Sequence, residues 1–132
     1  MIVITGASDG LGREIAKLYA LEGQTVASIS RRTCDVAEYN FLGDLSEPTD
    51  VAKIVAEIQQ TEEPMEALIL CAGHFTVQEL GQIDPAVVRK TFEINVASNI
   101  ELVSRLIELI KRDGTDIVSV VSTTGTKPTN EF

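Results

Sequence analysis

Three glycines, at positions 6, 10 and 12, interrupt the first turn of the chain, in the stretch Thr-Gly-Ala-Ser-Asp-Gly-Leu-Gly that spans residues 5–12. An apolar run at residues 2–4 leads into this turn, and residues with helical periodicity follow from Leu11. The free N–H groups and the dipole at the start of a helix favour an anion, and glycine lets a phosphate approach the backbone closely. The turn therefore predicts a phosphate-binding site, although an unoccupied strand-to-helix turn has the same pattern.

The elements that position this turn alternate between strand and helix. Buried or β-branched runs predict strands over residues 2–4, 25–30, 39–42, 67–71 and 117–122. Helical patterns fall after the glycine turn, from Ser46 as N-cap with Pro48 in the first turn, and from Asp84-Pro85 to near Gly114. Residues 33–38 are too few for an ordinary crossover helix. This alternation predicts one α/β domain, residues 1–132, with a mostly parallel sheet.

The long third helix carries two apolar stripes. One stripe comprises Val96, Ile100, Val103, Ile107 and Ile110, and the other comprises Leu102, Leu106 and Leu109. We expect the first stripe to cover the sheet and the second to meet a helix of the same chain or of a second copy. Packing of the second stripe on an adjacent loop is the alternative. The pattern favours a homo-oligomer formed through Asn95–Lys111.

The charge of the chain restricts its partners. It has 11 Lys and Arg against 20 Asp and Glu, a net charge of −9. This argues against binding to nucleic acid or to an anionic membrane surface.

The start of the chain has no signal-peptide pattern and no stretch is long enough to span a bilayer, so we expect a cytoplasmic protein. Cys34, Cys71 and the single His74 predict neither a structural disulfide nor a metal site.

The stretch Thr5–Gly12 resembles the T-G-x-x-x-G-x-G cofactor turn of the short-chain dehydrogenase/reductase family. The resemblance covers the whole chain, and it implies a Rossmann-like, doubly wound sheet of strand order 3-2-1-4-5 that is incomplete on its C-terminal side. A sugar-nucleotide-modifying branch of the superfamily is a weaker match, because it tends toward T-G-x-x-G-x-x-G. The implied activity is hydride transfer between a nicotinamide and a carbonyl or alcohol carbon of a small molecule.

The implied cofactor is NADP(H) in preference to NAD(H). The second strand ends in Ser30-Arg31-Arg32, where NADP-preferring members often place an arginine, and a guanidinium pairs well with a 2′-phosphate. Simple surface arginines are the alternative. Asp44-Leu45 matches the acidic residue that accepts a hydrogen bond from adenine, although a turn aspartate would look the same. The implied cofactor-binding residues are Gly6, Ser8, Asp9, Gly10, Leu11, Gly12, Arg31, Arg32, Asp44, Leu45, Cys71, Ala72 and Gly73.

Further matches follow along the chain. Leu70-Cys71-Ala72-Gly73 stands at the family's N-N-A-G and shares only its last two residues, so the asparagine hydrogen bonds are missing and Cys71 is expected to be an inert thiol. The resemblance implies that Asn95 holds a water on the proton-relay path. It also implies that Ser122 hydrogen-bonds the substrate oxygen.

The family's Tyr-x-x-x-Lys pair is not found in these residues. The two tyrosines are Tyr19 and Tyr39, both far upstream of Ser122, and Phe132 has no phenolic oxygen. We therefore expect the 132 residues to be the cofactor-binding part of a longer enzyme and to be inactive alone. The alternatives are a non-catalytic nucleotide-binding module and a truncated product.

Overall fold

A five-stranded parallel sheet organises the computed structural model, which describes residues 1–122. The strands are Ile2–Thr5 (β1), Val26–Ser30 (β2), Tyr39–Leu42 (β3), Ala67–Leu70 (β4) and Asp116–Ser119 (β5). Their order is β3-β2-β1-β4-β5, and every neighbouring pair is parallel. Val3 of β1 lies between Ala27 and Leu68. The predicted fold class and strand order are confirmed.

Helices cover both faces of this sheet. They are Gly10–Leu21 (α1), Pro48–Gln59 (α2), Pro85–Phe92 (α3), Ser98–Arg105 (α4) and Ile107–Asp113 (α5), with a π-helical segment, Glu93–Ala97, between α3 and α4. One continuous helix was expected from residue 85 onward, but the π-helical segment and a break at Leu106 divide it. It ends as expected at Gly114, which adopts a left-handed φ of 68°.

Two separate cores arise because side chains alternate along each strand. On one face, Val3 and Leu68 pack with Ile54 of α2 and Leu102 of α4. On the other face, Ile2, Ile4, Val26 and Ile69 pack with Ala16 of α1. The doubly wound arrangement thus buries both faces of the central strands and leaves their carboxyl ends uncovered, at the edge of the sheet where the predicted phosphate-binding turn lies.

The assignment of the two stripes on the long helix was wrong in large part. Leu102, Leu106 and Leu109 of the second stripe are buried toward the sheet and α2, together with Ile110 of the first stripe, whereas Val96 and Ile100 are 45% and 65% exposed. Periodicity identifies apolar stripes but does not say which of two adjacent stripes meets the sheet. The rotation of α4 is set by its contact with α2 and by the π-helical segment before it.

The predicted N-cap of α2 was also wrong. Ser46 does not cap the helix, and the N-cap position is Glu47, which makes no side-chain capping bond. The Ser46 N–H and Oγ both donate to Asp44 Oδ1, at 2.9 and 2.7 Å. A carboxylate two residues earlier is a closer partner for Ser46 than the helix start, and it forms a turn instead.

β5 is one of the two edge strands of the described sheet, and all four of its residues are exposed. It ends at Ser119, so Ser122 lies three residues past the strand rather than at its end. Within residues 1–122, no helix combines the length and apolarity needed to cross a membrane.

Candidate functional site

The turn after β1 depends on close backbone contacts that only glycine allows. Gly6 has a φ of 74°, and a Cβ there would lie 2.9 Å from Ala72 Cα. A Cβ on Gly12 would lie 2.5 Å from the carbonyl oxygen of Gly6. The first glycine therefore brings the turn against the end of β4, and the third brings α1 against the turn.

The amino end of α1 carries unused hydrogen-bond donors. Asp9 is the N-cap and its carboxylate accepts from the Gly10 N–H at 2.8 Å. The N–H groups of Leu11 and Gly12 have no acceptor among residues 1–122. Since the first N–H groups of a helix point out of its amino end, these two donors can serve an anion at that end.

A cavity of about 360 Å³ lies at the carboxyl ends of β1, β2 and β4, beside this helix end. The structure brings every predicted cofactor-binding residue except Asp44 to its wall. Its lining residues are Gly6, Ser8, Asp9, Gly10, Leu11, Gly12, Ile29, Ser30, Arg31, Arg32, Gly43, Leu45, Cys71, Ala72, Gly73, His74 and Ile94. Of the five that were not predicted, Ser30, Gly43 and His74 adjoin a predicted residue in sequence and Ile29 lies two residues before one. Ile94 comes from the π-helical segment and had no sequence signal as a lining residue.

Buried hydroxyl groups hold the cavity floor together. Thr5 Oγ1 is fully buried and accepts from the backbone N–H groups of Cys71 and Ala72, both at 2.9 Å. Ser30 Oγ accepts from the Ser8 N–H at 3.3 Å. These bonds join the end of β1 to the loop after β4, and the glycine turn to the end of β2. Sequence reasoning assigned neither Thr5 nor Ser30 a role.

The two arginines after β2 have different environments. Arg32 Nη2 lies 3.1 Å from Asp9 Oδ2, in a largely exposed ion pair. The pKa of Asp9 is lowered chiefly by its bond from the Gly10 N–H and then by Arg32. Arg31 also lines the cavity and makes no ion pair with any described residue. Arg31 is therefore the arginine at the cavity that is not held in an ion pair, although its charge acts on Asp44 at longer range.

Asp44 is held by its own turn. Its bonds from Ser46, through the hydroxyl and then the N–H, lower its pKa. Partial burial opposes this shift, and the charges of Lys90 and then Arg31 lower the pKa further. Lys90 Nζ lies 4.0 Å from Asp44 Oδ2. Ser46 already donates two hydrogen bonds to Oδ1. Oδ2 has only the long contact with Lys90, so it is the oxygen of Asp44 that can accept a hydrogen bond from a ligand.

Asn95 joins the π-helical segment to the loop after β4. Its Oδ1 accepts from the His74 N–H at 2.7 Å, and its Nδ2 donates to the His74 carbonyl oxygen at 2.9 Å. The His74 ring contacts Thr91 Oγ1 through Nδ1 at 3.1 Å. Neither Asn95 nor Ser122 lines the cavity, and Ser122 is exposed beyond β5. Asn95 therefore acts on the cavity wall through His74.

Both cysteines are free thiols. Partial burial raises the pKa of Cys71 and so disfavours its thiolate, which agrees with the expected inert thiol. Residues 1–122 contain no group of three or more His, Cys, Asp or Glu side chains placed to hold a metal ion.

The doubly wound parallel sheet, with a glycine turn and a helix amino end at the carboxyl edge of its first strand, defines a Rossmann-like fold of the dinucleotide-binding type. The family model described as short chain dehydrogenase matches residues 1–132, and the chain belongs to this family. The predicted family membership is confirmed.

Individual relatives agree with this membership. L-xylulose reductase of Caenorhabditis elegans is 31% identical over 120 aligned positions, which cover 80% of this chain and 45% of that protein. A short-chain dehydrogenase/reductase family oxidoreductase from Brucella ovis, solved in complex with a partially ordered NAD, has a TM-score of 0.83 and 28% identity, covering 97% of this chain and 65% of its own. L-sorbose reductase from Gluconobacter frateurii, complexed with NADPH and L-sorbose, shares the fold with a TM-score of 0.87 at 20% identity, covering 98% of this chain and 55% of its own. The chain spans about half the length of the curated relatives it matches.

Proposed function

We propose that residues 1–132 form the single NADP(H)-binding domain of an oxidoreductase that transfers hydride between the nicotinamide and a carbonyl or alcohol carbon of a small molecule. The observation that carries the proposal is the cavity beside the amino end of α1, with the unused N–H groups of Leu11 and Gly12 and with Arg31 in its wall. Membership of the short chain dehydrogenase family supports the reaction class.

The residues present fit a dinucleotide. Gly6 and Gly12 have no side chains, so the turn and α1 pack closely and no side chain from these positions covers the amino end of the helix. The N–H donors at this end suit the two negative charges of a pyrophosphate. Gly73, which has no neighbour closer than 3.9 Å to an added Cβ, would let the cofactor lie flat against the loop after β4. Leu45 supplies an apolar wall and Asp44 Oδ2 an acceptor for an adenine amino group.

Arg31 supports the choice of NADP(H). Its guanidinium can pair bidentately with a 2′-phosphate, whereas the carboxylate found at this place in NAD-preferring relatives would repel that group. Asp9 places a negative charge near the phosphates, but Arg32 pairs with it. The net effect of the three charged side chains at the cavity favours an anionic ligand.

The chemistry proposed for the parent enzyme needs a residue that orients the substrate oxygen and residues that transfer a proton. When bound, the nicotinamide supplies or accepts the hydride. Ser122 would orient the substrate oxygen, and Asn95, tied to His74, would support the proton relay. Tyrosine near its usual pKa, about 10, needs a neighbouring cation to act as a base near neutral pH. No Tyr-x-x-x-Lys occurs after Ser122 in these 132 residues, so we propose that they have no turnover alone.

A non-catalytic nucleotide-binding module is the second candidate, and the helix N–H donors and Arg31 at the cavity support it equally. Both candidates predict NADP(H) binding, and only the first predicts hydride transfer once a Tyr-x-x-x-Lys segment is present. A truncated product would be distinguished by an in-frame reading of its gene. We also propose a cytoplasmic location and a homo-oligomer formed through Asn95–Lys111, on whose outer side Val96 and Ile100 are exposed.

A fluorescence titration of the 132-residue chain with NADPH and NADH tests the proposal. We expect tighter binding of NADPH, and we expect Arg31→Asp to weaken it by about 10- to 150-fold, since a charged hydrogen bond contributes about 1.5 to 3 kcal/mol. NADH affinity should change little. Arg89→Asp is the matched control, because Arg89 is exposed on α3 and its substitution changes the charge equally. Equal effects of the two variants would show that Arg31 is an ordinary surface arginine. A chain with no affinity for either nucleotide would contradict both candidate functions.

A further inference from the structure

Two side chains of α4 bond back to the π-helical segment. Ser98 Oγ donates to the carbonyl oxygen of Ile94 at 2.8 Å, and Asn99 Nδ2 donates to that of Asn95 at 3.0 Å. The Ser98 N–H reaches the carbonyl of Glu93, five residues back. Side chains that bond a carbonyl four residues earlier offer the backbone an alternative to the regular helix, and π-helical turns occur frequently at functional sites. Ser98 and Asn99 therefore support the wide turn that carries Ile94 and Asn95.

The Asn99 side chain is not explained by packing. Its bond to a carbonyl oxygen fixes the carboxamide orientation, because that oxygen can only accept. Its own Oδ1 is buried and has no hydrogen-bond partner among residues 1–122. A buried acceptor without a partner is unfavourable, and a leucine of similar size would avoid that cost. The favourable interaction that asparagine adds at this position is the bond to Asn95.

This bond connects Asn99 to the wall of the cavity in two steps. Asn99 holds the backbone of Asn95, and the Asn95 carboxamide holds both the N–H and the carbonyl oxygen of His74. His74 and Ile94, on either side of this link, both line the cavity. A change in the orientation of Asn95 would therefore move two parts of the wall together.

We infer that Asn99 is a positioning residue for the dinucleotide site, which it supports by orienting Asn95 against the backbone of His74. The identity of the ligand rests on the proposed function, whereas the link from Asn99 to His74 does not. The experiment therefore has one readout with NADPH and one without any ligand.

Two substitutions separate the bond from packing. Asn99→Leu removes both polar atoms at nearly constant size. We expect it to weaken NADPH binding by about three- to tenfold, the equivalent of one hydrogen bond, with the urea midpoint of unfolding unchanged or higher. Asn99→Asp keeps the shape of the side chain but loses the donor while its carboxyl is ionised. Because a carboxyl of ordinary pKa, about 3.9, stays ionised down to about pH 5, its NADPH affinity at neutral pH should be reduced at least as much as that of Asn99→Leu. Ser104→Ala, on the exposed side of α4, is the control and should match the unchanged chain throughout.

Amide hydrogen exchange supplies the readout without ligand. The His74 N–H is bonded to Asn95 Oδ1, so Asn99→Leu should speed its exchange several-fold, as expected for weakening one hydrogen bond, while Ser104→Ala leaves it unchanged. Unchanged His74 exchange in Asn99→Leu overturns the inference, and so does an NADPH affinity of Asn99→Asp equal to that of the unchanged chain. A chain that binds no NADPH but shows faster His74 exchange in Asn99→Leu would overturn the proposed function and leave the positioning role supported.

Discussion

Gly12→Ala should destabilise the fold even though alanine is the better helix former. An added Cβ would lie 2.5 Å from the Gly6 carbonyl oxygen and 2.9 Å from its carbon. Both are backbone atoms of a turn that is itself pressed against Ala72, so neither can move without disturbing the end of β4. Inserting a methyl group into a closely packed site typically costs about 1 to 3 kcal/mol, and the rigid neighbours place this case near the upper figure.

The intrinsic preference of alanine for helix offsets about 1 kcal/mol of this cost. The net loss expected for Gly12→Ala is therefore about 2 kcal/mol. For a chain of this size, 1 kcal/mol corresponds to roughly 4 °C in Tm, so the variant should melt about 8 °C lower. Urea unfolding followed by far-UV circular dichroism measures the same quantity as a shift in midpoint at constant slope.

Gly73→Ala is the matched control. The nearest atom to its added Cβ is Asn95 Oδ1 at 3.9 Å, an ordinary contact distance. Its free energy of unfolding should stay within about 0.5 kcal/mol of the unchanged chain. If Gly12→Ala proves as stable as Gly73→Ala, α1 does not approach the turn as closely as described, and the account of the glycine turn is refuted.

Two further perturbations probe the surroundings of the cavity. Thr5→Val keeps the shape of the side chain but leaves the N–H groups of Cys71 and Ala72 without their acceptor. It should lower the free energy of unfolding in urea by about 2 to 4 kcal/mol, and Thr5→Ser, which keeps the hydroxyl, should recover most of this loss. Equal losses in the two variants would exclude the hydroxyl as the cause. The pKa of Asp44 is lowered in the folded chain by its bonds from Ser46, so its stabilisation is present above its unfolded pKa and is lost as the pH falls through the folded value. Asp44→Asn should therefore show a shallower loss of stability between pH 5 and pH 2, about the usual range for such carboxylates, and an unchanged slope would contradict the assigned bonds.

Much of the site was accessible to sequence reasoning because it depends on local patterns. The glycine turn, the arginines after β2 and Ala72-Gly73 each follow a strand, and parallel strands bring their carboxyl ends to one edge. Residues adjoining these motifs, such as His74, were missed only because the motif patterns stop short of them. Ile94 and Asn99 were missed for a different reason, since a π-helical turn has no period that the sequence displays.

The errors share a physical cause. Ser46 is a good N-cap type, but the choice between capping α2 and bonding Asp44 depends on three-dimensional distances. The two stripes on the long helix are similarly apolar, and only the contact with α2 decides that Leu102 and Leu106 are buried. Local propensity ranks the alternatives, but small energy differences between them are decided by packing.

The sequence by itself determined the alternation of strands and helices, which follows from periodicity, and the family, which follows from motifs within a few residues of one another. The order of the sheet was an implication of that family resemblance. Only the tertiary structure decided which stripe of the long helix faces the sheet, that Arg32 is paired with Asp9 while Arg31 is not, and that Asn99 reaches His74 through Asn95. Each of these depends on distances between residues far apart in sequence or on a helical turn of unusual width, and such distances exist only once the two cores have packed on the sheet.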